Sequence, residues 1–207
     1  LFNELSGYAI EKKYKRLLVA PRYLRKGLLK LIATETKNAL AGKPSGIRLK
    51  LNSIVDEAII DALYQASMAG VPIDLVVRGI CSLVPGREGL SETIRVRSVL
   101  GCYLEHSRIF SFHNDGDPQV YIGSADMMHR NLDRRIEALI RLSDPAHVAQ
   151  IDELFERHLN DEAASWHLHP DGTWQRHHLD GASGDLDDVQ NGLMKSIADR
   201  RRSPKKR

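Results

Sequence analysis

The chain lacks most of the features that would announce a specialised scaffold. Its 207 residues include two cysteines, Cys81 and Cys102. Neither has a Cys-x-x-Cys or Cys-His spacing, and two cannot frame a disulfide-stabilised fold, so a reducing cytoplasm is the default setting. Aromatic residues are scarce at 6%. No apolar run approaches the roughly 18 residues of a bilayer span, and no signal peptide is recognisable. There is no G-x-x-x-x-G-K-[ST] loop and no G-x-G-x-x-G after a strand, so any nucleotide site here is of another type. No repeat of fixed period is visible. Neither sign of charge dominates: the formal net charge is +3 with a pI near 8.9, a mildly basic balance that gives no reason to expect a nucleic-acid partner.

What is present suits one globular domain with tails, since 42% of the residues are hydrophobic. The sequence opens on Leu and not Met, and residues 1–15 read as a connection from a missing upstream region. Arg16–Ala20 reads as a short buried strand. Pro21 favours a helix start, and Leu24, Leu28, Leu31 and Ile32 recur at helical spacing until Gly42. Ile47–Leu51 is a second strand. Asp56 caps a helix striped by Ile59, Ala62, Leu63 and Ala66, with Gly70 just past its end. Ile73–Val77 is a third buried strand. This alternation predicts an α/β fold, with a mostly parallel or mixed sheet flanked by helices.

Residues 79–93 form a long Gly/Pro/Ser-rich loop. Strands follow at Ile94–Val99, Arg108–Phe112 and Val120–Ile122, the last two separated by the turn His113–Pro118. Ile136–Leu142 alternates like a strand. Asp144 and Pro145 then open a helix carrying Val148, Ile151, Leu154, Phe155 and Leu159. Pro-Asp-Gly between 165–168 and 173–176 signals a hairpin. The domain is expected to span 16–178, followed by a disordered tail over 179–207 with a transient helix near Leu193. Six of the last eight residues are Lys or Arg, most simply a solvated run, with a polyanion or membrane-surface contact as the sharper alternative.

The residues that could carry chemistry centre on YLEHSRIF and the GSAD that follows it. If His106 and Arg108 lie on a strand they share a face, offering an imidazole beside a fixed cation. That pairing suits phosphoryl transfer, because guanidinium grips phosphate oxygens in a planar fork. Gly123 and Ser124 would let backbone amides approach an anion. The plainer alternative places His106 at a strand edge and pairs Arg108 with Glu105 or Asp126. Arg78 ends a buried strand, where ligands of α/β sheets collect, though a surface ion pair would also explain it. Arg130, Arg134 and Arg135 could bind a polyanion or merely solvate a turn, partly neutralised by Asp133 and Glu137. His167, His169, His177 and His178 cluster without zinc-ligand spacing and are expected to be a chance grouping.

These blocks resemble a known family. LFNELSGY, YKRLLVAP, KLNSIVD, IDLVVRGICSLVPG, YLEHSRIF and GSADMMHRNLDRRIE, in this order over 1–176, resemble the C-terminal catalytic domain of bacterial polyphosphate kinase of the first type. That domain is similar to the phospholipase D fold, whose signature pairs His-x-Lys with Gly-Ser-x-Asn. Here the pattern reads His-x-Arg and Gly-Ser-x-Asp. The resemblance implies reversible transfer of the terminal phosphate of ATP to inorganic polyphosphate, with ADP left behind and Mg2+ required. It implies that Arg78 and His106 contact nucleotide or polyphosphate, with Arg108, Ser124, Arg130 and Arg134 as supporting phosphate contacts. The phosphorylated histidine of the family, and the magnesium ligands, fall in preceding domains outside these residues. His106 is therefore expected to orient or protonate the transferring phosphate, and the fragment to be weak or inactive alone. The intact enzyme is expected to be a cytoplasmic homo-oligomer, with membrane association left open. Cys102 and Met127–His129 depart from the family pattern, and the tail after Asp180 has no counterpart in it. Two other readings stay open: a phospholipase D-like phosphodiesterase, and a non-catalytic docking or dimerisation module.

Overall fold

The computed structural model describes residues 6–7, 14–177 and 186–202. Among these described residues, nine strands form one sheet in the order β1-β7-β6-β5-β2-β3-β4-β8-β9. The strands are β1 (Leu17–Val19), β2 (Ile47–Leu51), β3 (Ile73–Val77), β4 (Ile94–Ser98), β5 (Arg108–Phe112), β6 (Gln119–Gly123), β7 (Ala138–Arg141), β8 (Trp166–Leu168) and β9 (Trp174–Arg176). Four α-helices among the described residues accompany them: α1 (Leu24–Leu40), α2 (Glu57–Met68), α3 (Pro145–Leu159) and α4 (Val189–Arg202). The sheet is mixed. Only β2–β3 and β3–β4 are parallel, and the other pairings are antiparallel. The alternation of strand and helix holds as far as β3. Beyond it, short turns such as 113–118 join neighbouring strands, and a short turn can only return the chain antiparallel.

Period-two alternation divides the sheet's side chains between two helical layers. On one face, Ile47, Leu49 and Leu51 of β2, Ile73, Leu75 and Val77 of β3, and Phe110 and Phe112 of β5 pack with Leu24, Leu28 and Ile32 of α1 and Ile59 and Leu63 of α2. On the other, Ile109 and Val120 meet Phe155 of α3, while Val76 and Val99 meet Val189 and Leu193 of α4. The second layer is more polar. Arg48 bonds Asp152 and Glu156 of α3, and its guanidinium lies 5.1 Å from the Phe155 ring centroid. Asp74 pairs with Arg95 directly across β3–β4.

Helix starts follow the expected chemistry. The Asp56 carboxylate accepts the Ile59 amide hydrogen, and Asp144 accepts from Ala146 with Pro145 behind it. One buried carboxylate was not expected. Glu35 of α1 accepts from the backbone nitrogens of Gly46 (3.0 Å) and Asn114 (2.7 Å), pinning the 113–118 turn to the start of β2.

The tail differs from expectation over 186–202. α4 is a docked helix with Val189 and Gln190 buried, and Arg200 reaches Glu153 of α3 at 2.8 Å. Its low mean hydropathy suggested disorder, yet two or three apolar side chains on one face suffice when a sheet supplies the other half of the contact. The rest of the 179–207 expectation lies largely outside the described residues. No helix among the described residues is long and apolar enough to cross a membrane.

Candidate functional site

The carboxyl ends of β2, β3 and β4 open on the same edge of the sheet as the start of β5 and the end of β6. The residues just past those ends therefore converge: Asn52 after β2, Arg78 after β3, residues 99–107 between β4 and β5, and Ser124–Asp126 after β6. This is where ligands of open α/β sheets bind. Arg78 lies there, as its position after a buried strand predicted.

A continuous polar chain joins these ends. Arg78 donates from Nε to Asn52 Oδ1 (2.9 Å) and from Nη1 to the Glu105 carbonyl (2.6 Å). The Asp126 carboxylate, 2% exposed, accepts the backbone N–H of Asn52 (2.7 Å) and of Ser53 (3.2 Å) on one oxygen. Its other oxygen accepts from Arg108 Nη2 at 2.7 Å. Arg108 then donates to the His106 carbonyl (2.9 Å) and lies against both imidazole nitrogens, at 2.7 and 2.8 Å. So the expected Arg108–Asp126 ion pair forms, and it is what orients the cation under His106. The strand argument for His106 does not hold, because β5 begins at Arg108 and His106 belongs to the irregular segment before it. The two residues meet through ring and guanidinium contact instead. A neutral imidazole can accept from Arg108, and a protonated one cannot. Desolvation first, then the Arg108 and Arg78 charges, hold the His106 pKa below the usual histidine range, only partly offset by Asp126.

On the sheet's second face, Glu105 faces two nitrogen-bearing side chains. Lys50 Nζ sits 2.6 Å from one carboxylate oxygen, and the fully buried His158 has Nε2 at 3.6 Å from the other. Burial opposes the Glu105 charge, but His158 and Lys50 outweigh it and draw its pKa down to about 2 from 4.5. The stability that Glu105 confers is therefore complete above pH 4.5 and lost as the pH falls towards 2. Urea unfolding of the Glu105→Gln variant beside the parent chain should show the parent's advantage shrinking between about pH 5 and pH 2. A gap that stays constant across that window would contradict the pairing.

The fold and the site geometry can be set beside known proteins. The family model of the polyphosphate kinase C-terminal domain 2 matches residues 17–185. The chain belongs to this family. The polyphosphate kinase of Streptomyces coelicolor is 57% identical over 97% of the chain, and that of Mycobacterium bovis is 49% identical over 99%. The chain spans 27% of the length of each of these curated relatives. The crystal structure of polyphosphate kinase from Porphyromonas gingivalis superposes on 96% of this chain and 30% of its own with a TM-score of 0.88 at 36% identity. A phospholipase D family member, Nuc from Salmonella typhimurium, matches 79% of this chain and 97% of its own with a TM-score of 0.51 at 16% identity, a likeness of fold. Relatives matched over 97–99% of the chain also correct the expectation that the tail has no counterpart.

Not every predicted residue of this polyphosphate kinase domain joins the polar chain. The Ser124 amide donates to the Ala138 carbonyl (3.2 Å) and so is engaged with β7, whereas its hydroxyl only accepts the Ala138 N–H (3.3 Å) and keeps its O–H as a donor. Gly123 is explained by the same close approach, since a Cβ there would lie 2.0 Å from the Ala138 oxygen. Arg130 and Arg134 are exposed on a π-helical turn, Arg130–Arg134. Among the described residues no hydrogen bond or ion pair joins them to Arg78, His106 or Arg108. Asp133 and Glu137 are spent elsewhere, on Arg25 (2.7 Å) and on Asn131 (2.7 Å). The stacked rings of His167 and His177 lie 4.7 Å apart, with His177 Nε2 on the Asp161 carbonyl, while His178 lies outside the described residues. Burial pushes the Cys81 thiol up to about 11, which makes it a poor nucleophile.

Asp56, Glu57 and His129 are the one set among the described residues whose ligand atoms approach one another like a metal site, within 4.8 Å. They do not fit magnesium. Arg25 already binds the Asp56 carboxylate at 2.8 Å, and a histidine is a poor match for a cation that wants octahedral oxygen. Asp56 instead helps tie α1 to the turn carrying Met127–Asp133: Arg25 of α1 binds both Asp56 and Asp133, and Val55 and Asp56 donate to the Met127 carbonyl.

Several members of the polar chain went unread in the sequence: Asn52, Lys50, His158 and the hub role of Asp126. Asn52 had a usable signal, being the first residue past a buried strand's carboxyl end. Lys50 and His158 had none, because a lone charged residue in an apolar run does not name its partner.

Proposed function

We propose that this domain forms one wall of a phosphoryl-transfer cleft, in which Arg78 and His106 hold the terminal phosphates of ATP or inorganic polyphosphate. The rest of the enzyme supplies the phosphorylated histidine on the opposite wall. The observation that carries this reading is the convergence of Arg78 and His106 on one sheet edge, coupled through the Glu105 carbonyl. Arg78 uses Nε and one Nη for positioning, and a guanidinium has five N–H donors, so it keeps donors for phosphate oxygens. The names of the relatives support a polyphosphate substrate. In the transfer, the bond between the β- and γ-phosphates of ATP breaks as the phosphoryl group joins the acceptor, and ADP leaves. Negative charge spread over the moving oxygens is what fixed cations stabilise. A neutral His106 suits a hydrogen bond that orients the phosphate better than it suits donation of a full proton. Magnesium, when bound with the phosphates, would supply further charge neutralisation. Its protein ligands are sought outside this domain. Arg130 and Arg134 would act as outer contacts for a long polyanion, and Ser124 would offer its exposed hydroxyl as a donor.

Titration of polyphosphate and of ATP into this chain and into its Arg78→Ala variant tests the reading. Loss of a charged donor is expected to weaken binding about ten- to hundredfold. Equal affinity in the two proteins would refute it. Hydrolysis of phosphodiesters by the unaltered chain would instead favour phospholipase-like chemistry.

A further inference from the structure

Residues 100–107, which carry His106, make no backbone–backbone hydrogen bond among the described residues. Their peptide groups are held by side chains. Arg78 takes the Glu105 carbonyl and Arg108 takes the His106 carbonyl, and both belong to the site. The third holder does not. Gln190, in the first turn of α4, accepts the Tyr103 N–H on Oε1 (2.9 Å) and donates from Nε2 to the Tyr103 carbonyl (2.8 Å). One amide side chain thus satisfies both polar groups of one residue, as a neighbouring strand would.

The clamp is built. Gln190 is 7% exposed, whereas Tyr103 and Leu104 are 56% and 82% exposed. Its backbone is set by Asp188, whose carboxylate accepts from the nitrogens of Gln190 (2.9 Å) and Asn191 (3.1 Å). The helix is anchored by Val189 against Val76 and Val99. Across from it, Gly101 leaves room for the amide: a Cβ there would lie 2.1 Å from Gln190 Oε1 and 2.4 Å from Cδ. Arg78 and Gln190 also line one cavity of about 250 Å³.

We propose that Gln190 is a positioning residue for the phosphoryl-transfer site: by fixing the Tyr103 peptide it holds His106 over Arg108 and opposite Arg78, which makes α4, beyond the matched family domain, part of the working site. This rests on the proposed roles of Arg78 and His106. An error of about 1 Å in such a group can cost on the order of a hundredfold in rate.

Two readouts test it. In the 207-residue chain without ligand, hydrogen exchange at the Tyr103 amide should be slow and should accelerate in Gln190→Ala, with the amides of β2 and β3 unchanged. In a complete polyphosphate kinase carrying this domain, Gln190→Ala should lower kcat/KM for ATP about ten- to hundredfold. Gln190→Glu, which keeps the acceptor but loses the donor, should fall between. Gly101→Ala should expel the Gln190 amide and reproduce the loss, and the double variant should be no worse than the poorer single one, since both act on one contact. Unchanged exchange in Gln190→Ala would overturn the clamp. Faster exchange with kcat/KM within about twofold of the parent would overturn the positioning role. If His106→Ala is itself fully active, the reading of the site fails and the role of Gln190 falls with it, while the exchange data still decide whether the clamp exists.

Discussion

Alanine at His106 in a complete polyphosphate kinase is expected to cut polyphosphate synthesis by about a hundredfold to ten-thousandfold and to leave the fold intact. The imidazole is exposed, and nothing in the core packs against it, so its removal opens no cavity. What is lost is an oriented imidazole that lies against Arg108 and within the field of Arg78. Desolvation first, and then the charges of Arg108 and Arg78, depress the His106 pKa, so protonation sets in below the ordinary histidine range. Any acid limb of the rate profile that His106 causes should accordingly fall at low pH, with activity lost as the pH drops through it. That limb should vanish in the variant. Steady-state rates across pH, with circular dichroism as the control on folding, decide the matter. Full activity in His106→Ala would end the proposal.

Asp126→Ala is expected to be the most damaging change to the fold at this edge. It would strip the Arg108 guanidinium, 11% exposed, of its partner at 2.7 Å, and leave the Asn52 and Ser53 amides without acceptors. Breaking one side of a buried pair costs about 3–5 kcal/mol. Asp126→Asn should cost less, because its amide oxygen can still accept the two backbone hydrogens. It would, however, turn a second donor or a neutral oxygen towards Arg108. A guanidinium buried this deeply needs a carboxylate, and Asp126 supplies it to Arg108. Urea unfolding of the two variants gives the test. A loss below about 1 kcal/mol for the alanine variant would show that Arg108 is solvated and that the pair is a surface ion pair.

The domain is readable in its sequence to an unusual depth at the level of elements. The caps at Asp56 and Asp144, the β-compatible segments of β2, β3 and β5, and the stripe of α2 are local signals, because each depends on residues within a turn or a strand of one another. The site was readable in part. Arg78 announced itself by standing at the end of an all-buried strand, and His106 by its proximity to Arg108 in the chain. The reason given for His106 was nonetheless incorrect. It lies before β5, where strand alternation has no force, and a long-range ion pair to Asp126 does the orienting. Gly123 and Ser124 were read as an anion cradle because small residues serve both uses; here they permit the β6–β7 approach. The tail was misjudged over 186–202 for a thermodynamic reason. A helix with few apolar residues is marginal alone and stable once Val76, Val99 and Ala163 cover its face.

By itself the sequence determined the secondary elements, the α/β class and the residues that stand at strand ends, since these follow from periodicity, capping and chain proximity. Tertiary structure alone decided which strands run parallel, that Asp126 joins Asn52 to Arg108, that Lys50 and His158 steady Glu105, and that Gln190 reaches back across the chain to Tyr103. Apart from the parallel strand pairs and Asp126 with Arg108, which a hairpin brings together, each of these contacts joins residues 53 to 87 positions apart. Such pairings depend on how whole layers stack, and no local pattern in the chain encodes them.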